Sequence, residues 1–309
     1  MDVIYDFPDF ENPTVICLGN FDGVHKGHQY LIKKTVKYAR DLGLPSVVLT
    51  FEPHPELILY PEKRLKRILT NELKTELIAK LGVDILVYLP FSIKVANMSP
   101  EDFIRNILSH HLKAAHIFTG FNYTFGNGAA GTVSTLQEFS NTLGYQFYVI
   151  PPFHVNDHIV SSSLIRSYLV QGKIEEAKEM LGYWPLIRGK VVQGDQRGRV
   201  IGFPTANIEI DSELLTPANG VYASLVYYKD KRFWGMTNIG IKPTIGTNLP
   251  KTIEVNIFDF ADIVYNEHLT IQLIKFIRPE MKFLTLDKLK EQLLKDKREI
   301  RNYLQQTCQ

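Results

Sequence analysis

The turn at residues 19–28 constrains the fold most, because it lies between a strand pattern and a helix pattern. Residues 14–18 form a short apolar run typical of a buried strand, and apolar side chains recur at helical spacing from Leu31 to Ala39. The first turn of a helix offers free N–H groups and a partial positive charge, which favour anions such as phosphate. The pattern predicts a strand–turn–helix unit with an anion site at its turn.

Two histidines lie within this turn, and only Gly27 among the residues between them lacks a side chain. Imidazoles supply donors where negative charge grows during phosphoryl chemistry, and glycine lets backbone approach an anion. We therefore predict a nucleotide site without a Walker lysine. The alternative is a tight turn with one structural histidine. The predicted site comprises Gly19, Asn20, Phe21, Asp22, His25 and His28.

Length and composition indicate a protein of two domains. A chain of 309 residues with 45% hydrophobic residues is long and apolar enough for two packed cores, and a change of pattern divides it into residues 1–182 and 183–309. The net charge of +2 gives no indication of nucleic-acid binding. Cys17 and Cys308 have no metal-binding spacing. We expect a cytoplasmic protein without signal peptide, membrane span or nucleic-acid partner, with a weak homo-oligomer left open.

Strand and helix patterns alternate through the first half of the chain. This alternation predicts an α/β domain, Rossmann-like, with a parallel sheet wrapped by helices. Ligands of such sheets bind at the carboxyl ends of strands, where the turn at 19–28 lies. After residue 182, short β-rich runs separated by turn residues predict a small antiparallel β-barrel, and apolar residues from Leu286 to Leu304 predict a closing α-helix.

A glycine-rich loop at residues 119–128 follows a predicted strand and carries Phe121, Asn122 and Phe125. Aromatic side chains and close backbone approach suit a flat heteroaromatic ligand. The alternative is that the aromatic side chains fill the core beneath the loop.

Another helix start is predicted at Ser161 and Ser162, with Arg166 about one turn further on. Backbone donors, hydroxyl groups and a guanidinium together would bind a polyphosphate. The alternative is an ordinary serine N-cap followed by a surface arginine.

In the second half, a glycine- and arginine-rich segment that includes Gly194 and Arg199 precedes Thr205 and Asn207. The glycines and arginines would curl over phosphates. Side chains alternate along an extended chain, so Thr205 and Asn207 place two hard oxygens on one side, as Mg²⁺ prefers. The alternative is a turn or bulge in which these residues are structural.

Glu254 interrupts an apolar strand pattern, on the same face as Asn256. A carboxylate placed in this way can act as general base toward an alcohol. The alternative is a solvent-facing glutamate. His110 and His111 end a predicted helix, where we expect them to interact with its dipole.

Taken in this order, these segments resemble the prokaryotic bifunctional riboflavin kinase/FAD synthetase family over nearly the whole chain. The first half resembles the FMN adenylyltransferase (nucleotidyltransferase) module in the motifs at residues 19–28, 50–55, 119–128 and 160–166. The second half resembles the riboflavin kinase module in the motifs at residues 188–192, 198–207, 220–222, 238–240, 243–244, 254–260 and 277–280.

The resemblance implies a role for each predicted site. His25 and His28 would stabilise charge during adenylylation, and the serines with Arg166 would bind the triphosphate and the leaving pyrophosphate. Phe121, Asn122, Phe125 and Arg278 would contact flavin. Gly194 and Arg199 would bind ATP in the kinase module, Thr205 and Asn207 would hold metal, and Glu254 would be the base. ATP would be co-substrate and Mg²⁺ the cofactor of both steps, with riboflavin and FMN as the other substrates.

Two positions depart from the family pattern. Asn122 stands where many relatives have Asp, and Asn256 stands where relatives often have His. Two alternative functions remain open at this point. The chain could be a single-reaction nucleotidyltransferase whose barrel only binds, or a flavin-sensing regulatory protein.

Overall fold

The computed structural model describes residues 1–63, 65–194, 198, 201–241 and 251–307. The chain forms two compact units, one of Met1–Arg67 with Asn71–Ser162 and the other of Ile68–Thr70 with Ser163–Gln309. The domain boundary near residue 182 stays a prediction. By their contacts, the residues of the two helices before it from Ser163 onward belong to the second unit.

The first unit is built on a six-stranded sheet in the order β1-β4-β3-β2-β5-β6, in which all adjacent pairs are parallel. A small antiparallel hairpin, β7 with β8, follows the sheet. The strands are β1 (Asp2–Ile4), β2 (Thr14–Leu18), β3 (Ser46–Glu52), β4 (Ile85–Pro90), β5 (Ala114–Gly120), β6 (Gln146–Ile150), β7 (His154–Val155) and β8 (His158–Ile159).

Helices and short helical turns connect these strands, as the alternating sequence pattern predicts. They are α1 (Lys26–Leu42), α2 (Pro55–Leu59), α3 (Asn71–Ala79), α4 (Ile93–Ala96), α5 (Pro100–Asp102) and α6 (Val133–Leu143), with 3₁₀ turns at Pro61–Lys63 and Asn127–Ala129. Helix α1 ends at Gly43, which has the left-handed backbone conformation that glycine adopts without strain.

The segment after α5 is a π-helix, Phe103–His111, whereas the sequence pattern predicted a continuous α-helix. Ser99 caps the start of α5, accepting a hydrogen bond from the Asp102 N–H at 3.0 Å. The wider turn still buries the expected apolar residues of the segment, because they lie against the sheet.

The strand order places β2 between β3 and β5. The chain therefore adds β3 and β4 on one side of β2, and β5 and β6 on its other side. Such a topological switch point is where open α/β sheets bind ligands. The loops after β2 and β5, both singled out from the sequence, lie at the carboxyl ends of these adjacent strands.

The second unit is a closed six-stranded antiparallel barrel in the order β10-β13-β12-β11-β14-β9, preceded by helices α7 and α8 and completed by α9. The elements are α7 (Ser162–Val170), α8 (Ile174–Leu181), β9 (Leu186–Val192), β10 (Ala206–Glu209), β11 (Gly220–Tyr228), β12 (Lys231–Ile241), β13 (Lys251–Ile257), β14 (His268–Arg278) and α9 (Leu286–Thr307).

Helix α9 closes the barrel unit through an apolar stripe. Ile300 and Leu304 are fully buried and share a core cluster with Val221 and Met236 of the barrel wall. The predicted fold class, a parallel α/β unit followed by a small antiparallel barrel with a closing helix, is confirmed. Among the described residues, no helix is both long and apolar enough to cross a bilayer.

Candidate active sites

The two histidines of the 19–28 turn form a stacked pair at the start of α1. His25 is the N-cap, and its Nδ1 accepts a hydrogen bond from the His28 backbone N–H at 3.2 Å. The two rings lie 3.5 Å apart, centroid to centroid, with 14° between their planes. Gly27 leaves room beside them, because a Cβ there would lie only 3.3 Å from the His25 ring.

Both imidazoles are held in the neutral form. Burial lowers the pKa of His25 to about 4, from an ordinary value of 6.5. Burial also lowers the pKa of His28 well below that value, and the charges of His25 and Lys74 lower it further. Among the described residues, the buried Nδ1 of His28 has no hydrogen-bond partner.

The backbone that carries the pair is strained. Phe21 and Val24 have φ of 51° and 34°, in the left-handed region that costs energy for side chains of this size. The Gln29 side-chain amide donates to the Val24 carbonyl at 2.8 Å and so supports this conformation. The loop is thereby held in a shape that the local sequence alone disfavours.

Neighbouring segments fix the rest of this loop. The Ser162 hydroxyl donates to the Asp22 carbonyl at 2.8 Å, and the Thr50 hydroxyl donates to the Asn20 carbonyl at 3.1 Å. The structure thus brings the predicted serine segment to the predicted histidine turn.

Ser161 directly precedes α7, and Arg166 lies half-buried one turn into that helix. Their contacts with a triphosphate stay a prediction. A Cβ at Gly19 would lie 3.0 Å from the Phe21 ring, which is a tight contact.

The glycine-rich loop after β5 divides its aromatic side chains between core and surface. Phe125 is buried, with its ring 5.4 Å from that of Phe103 and 5.8 Å from that of Tyr123. Phe121 is 43% exposed, and Asn122 is also exposed. Phe121 and Asn122 are therefore accessible to a ligand, whereas Phe125 supports the loop from below. Flavin contact by these three residues stays a prediction.

Lys74 is a charged residue of this region that the sequence reasoning missed. It lies on the buried face of α3, and burial lowers its pKa to about 8, while the carboxylates of Asp22 and Glu52 oppose that shift. Its charge acts on His28. The available signal was its position four residues before Ile78, on the apolar face of the helix. A buried cation beside neutral imidazoles suits the stabilisation of phosphoryl charge.

In the barrel, Glu254 is the centre of a row of polar side chains. It lies directly opposite Asn207 on β10 and opposite Asn238 on β12. Because side chains alternate along a strand, all three point away from the face on which Ile253 and Val255 are buried. This row is the predicted placement of Glu254, with Asn238 as an additional member.

The predicted metal and phosphate residues converge on the same row. The Thr205 hydroxyl donates to Glu254 Oε2 at 3.4 Å. Gly194 lies against Asn207 so closely that a Cβ would overlap the side-chain amide. Gly198 lies near Thr205, with 3.6 Å from a Cβ position to the hydroxyl oxygen. The structure therefore brings Thr205 and Asn207 together with Gly194, Gly198 and Glu254. The predicted Arg199 lies outside the described residues.

Asn256, the second departure from the family pattern, is buried rather than part of the open row. Its Nδ2 donates to the Pro204 carbonyl at 2.6 Å, which ties β13 to the segment before Thr205. Its Oδ1 has no hydrogen-bond partner among the described residues.

Arg278 is held by the closing helix. Its guanidinium binds Asp296, with Nη2 donating to Oδ2 at 2.8 Å, and Gln292 donates to the same carboxylate at 2.7 Å. Asp296 is fully buried, so this pair ties β14 to α9. Flavin contact by Arg278 stays a prediction.

A cleft of about 930 Å³, including its open mouth, lies beside Thr205. Its lining also includes Val255, Phe260, Ile263 and Tyr265, of which Ile263 is 75% exposed. Thr205 is the residue that this apolar and aromatic cleft shares with the polar row, whereas Glu254 and Asn207 do not line it.

Comparisons with known proteins match the two halves of the chain to two different families. Residues 8–164 match the FAD synthetase family, and residues 181–304 match the riboflavin kinase family. A bifunctional riboflavin kinase/FMN adenylyltransferase from Bacillus subtilis (strain 168) is 38% identical over 294 residues, which cover 94% of this chain and 92% of the relative. One of the same name from Listeria monocytogenes serovar 1/2a is 37% identical, with the same coverage of 94% and 92%.

A crystal structure described as a macrolide-efflux protein from Streptococcus pneumoniae is also similar throughout. Its TM-score is 0.87 at 32% identity, and the match covers 98% of this chain and 99% of that one. Since two consecutive family matches agree with relatives that are 37% and 38% identical over 94% of the chain, the chain belongs to the bifunctional riboflavin kinase/FMN adenylyltransferase family.

Proposed function

We propose that this protein phosphorylates riboflavin to FMN and then adenylylates FMN to FAD, using ATP in both steps. The observation that carries the proposal is the presence of two separate polar constellations, one in each compact unit, in a chain whose halves match the two corresponding families.

In the adenylylation step, a phosphate oxygen of FMN attacks the α-phosphorus of ATP, and the bond to the β-phosphate breaks to release pyrophosphate. His28 and the free N–H groups at the start of α1 donate to the phosphate oxygens as charge develops there. The buried Lys74 adds a positive charge. Ser161, Ser162 and Arg166 hold the departing pyrophosphate, and Phe121 and Asn122 contact the flavin.

In the kinase step, the 5′-hydroxyl of the ribityl chain attacks the γ-phosphorus of ATP, and ADP leaves. Glu254 accepts the proton of that hydroxyl. The Thr205 hydroxyl, already bonded to Glu254, orients the carboxylate. Gly194 and Gly198 let the backbone pack closely against Asn207 and the Phe203 carbonyl, beside the residues that we propose for the metal.

The barrel site also fits Mg²⁺. A threonine hydroxyl, an asparagine amide oxygen and a carboxylate are hard oxygen donors of the type that this ion prefers, and Thr205, Asn207 and Glu254 supply them. Thr205 and Asn207 would hold the ion; when bound, it neutralises charge on phosphate oxygens. On this proposal the partners are small molecules, without nucleic acid or membrane. A cytoplasmic setting and a weak homo-oligomer stay predictions.

A time course tests the proposal. Purified protein is incubated with riboflavin, excess ATP and Mg²⁺, and flavins are separated by chromatography. We expect FMN first and FAD later, with FAD also formed directly from supplied FMN. FAD from FMN without any FMN from riboflavin would support the single-reaction alternative. Flavin binding without any turnover would support the regulatory alternative.

A further inference from the structure

Three metal-ligating side chains meet at a place that neither reaction uses. Asp9, His110 and His111 each direct one ligand atom into a common space, and these atoms lie within 4.8 Å of one another. His111 Nδ1 is 3.0 Å from Asp9 Oδ1. This Asp9–His110–His111 cluster joins residues about a hundred positions apart in the chain.

The cluster lies at the amino-terminal edge of the parallel sheet. His110 and His111 end the π-helix, and Ala114 begins β5 three residues later. The predicted nucleotide site follows the carboxyl end of β2, at the opposite edge. A ligand bound at the cluster is therefore distinct from the substrates of the proposed reactions.

Backbone contacts hold the cluster in place. The Phe10 N–H donates to the His111 carbonyl at 2.8 Å, and the Thr14 N–H donates to the Lys113 carbonyl at 3.0 Å. The Thr14 hydroxyl also donates to the Leu112 carbonyl at 2.6 Å. Asp9 therefore directly precedes a segment whose backbone is hydrogen-bonded to the end of the π-helix and to the residues that follow it.

The ligand types and spacing suit a divalent transition metal. Zn²⁺ binds imidazole nitrogen and carboxylate oxygen at about 2.0–2.2 Å, so that tetrahedral ligands are roughly 3.3 Å apart. The 3.0 Å between Asp9 Oδ1 and His111 Nδ1, which form a hydrogen bond in this structure, is close to that value, and the His110 ligand atom lies within 4.8 Å of both. Two imidazoles select Zn²⁺ over Mg²⁺, which prefers oxygen ligands.

We propose that Asp9, His110 and His111 form a structural site for a divalent transition metal, with Zn²⁺ as its probe, that pins the segment before β2 to the end of the π-helix. Water completes the coordination on the exposed side. The bound ion stabilises the folded chain, because the unfolded chain does not hold residues 9 and 110 together.

The test uses the full-length protein without nucleotide. Zn²⁺ binding is followed by isothermal titration, and Co²⁺ substitution by visible absorption. We expect wild type to bind one ion that Asp9→Asn and His110→Ala bind at least tenfold more weakly, and we expect Zn²⁺ to raise the Tm of wild type but not of these variants. His268→Ala removes an exposed histidine of the barrel and serves as matched control.

Several outcomes would overturn the proposal. Equal Zn²⁺ affinity and Tm shift in wild type, Asp9→Asn and His110→Ala would show that the cluster holds no metal. An equal loss in His268→Ala would show that binding is unspecific. Asp9→Asn changes one exposed atom, and circular dichroism without metal verifies its folding. Because the readouts are binding and unfolding, they are independent of whether the protein makes FMN or FAD.

Discussion

The two candidate sites offer a phosphate group different kinds of contact. In the parallel-sheet unit, stacked and neutral histidines are buried at the start of a helix, and His25 is only 6% exposed. In the barrel, Thr205 and the neighbouring Glu254 form an open row of oxygens on the outer wall. The first arrangement supplies N–H donors and the field of a helix terminus, and the second supplies a base and ligands for a cation.

This difference teaches how each fold limits the chemistry. A switch point in a parallel sheet offers helix termini, so anions bind without much added charge. The described polar side chains of the barrel site, Thr205, Asn207 and Glu254, offer oxygen atoms, so on our proposal a cation neutralises the phosphate there. The two reactions should therefore respond to different substitutions.

His28→Ala should have the largest effect. It removes a donor to the developing phosphate charge, and we expect a loss of about 10³ in FAD formation from FMN, by analogy with removal of an oxyanion donor. FMN formation from riboflavin should be unchanged. Chromatographic rates for both steps, with the exposed His158→Ala as control, measure this. Equal loss of both activities in a folded variant would remove the division between the sites.

Glu254→Gln should do the reverse. Loss of the general base should slow riboflavin phosphorylation by roughly 10²–10³, while FAD formation from supplied FMN stays at the wild-type rate. Glu209→Gln, an exposed glutamate of β10, is the matched control. A kinase rate within twofold of wild type would exclude Glu254 as the base.

Acid should destabilise the first unit through its histidines. In the unfolded chain, His25 is protonated as the pH falls through about 6.5. In the folded chain, its pKa is about 4, so the imidazole stays neutral to a lower pH. The contribution of His25 to the free energy of unfolding is therefore fully present above pH 6.5. It is lost as the pH falls from 6.5 to 4, which lowers the free energy of unfolding by on the order of 3 kcal/mol.

Urea unfolding from pH 7 to 4.5 measures this dependence, and His25→Asn should reduce its slope. Asparagine retains an N-cap at that position, so the comparison isolates the titration. An identical slope in both proteins would contradict the buried neutral imidazole.

Thr205→Val should have the smallest effect. It removes one oxygen donor, and we expect the Mg²⁺ concentration for half-maximal kinase rate to rise about tenfold, as for weakened ligand sets. The Mg²⁺ dependence of adenylylation should not change. Thr270→Val is the control, because the Thr270 hydroxyl accepts a hydrogen bond from Arg188 and is not part of the proposed metal site. A lowered maximal rate at an unchanged Mg²⁺ requirement would assign Thr205 to orienting Glu254 alone.

The sequence by itself determined the fold class and the family. Alternating strand and helix periods, then short β-runs and a closing amphipathic helix, predict both units, because these patterns depend on local burial. Ordered motifs from the histidine turn to Glu254 identify the family. The close approach of the two imidazoles at Gly27 could also be predicted, whereas the packing of Gly194 against Asn207 became visible only in the structure.

Only the tertiary structure decided which side chains are available. Phe125 and Phe121 belong to one loop, yet one is buried and the other exposed. The burial of Lys74 beside His28, the bond from Ser162 to Asp22, and the meeting of Asp9 with His111 all join residues distant in sequence. The periodicity of the sequence shows which face of a single helix or strand is apolar. Packing between elements decides which side chains are buried, and burial in turn determines their charge state and their contacts.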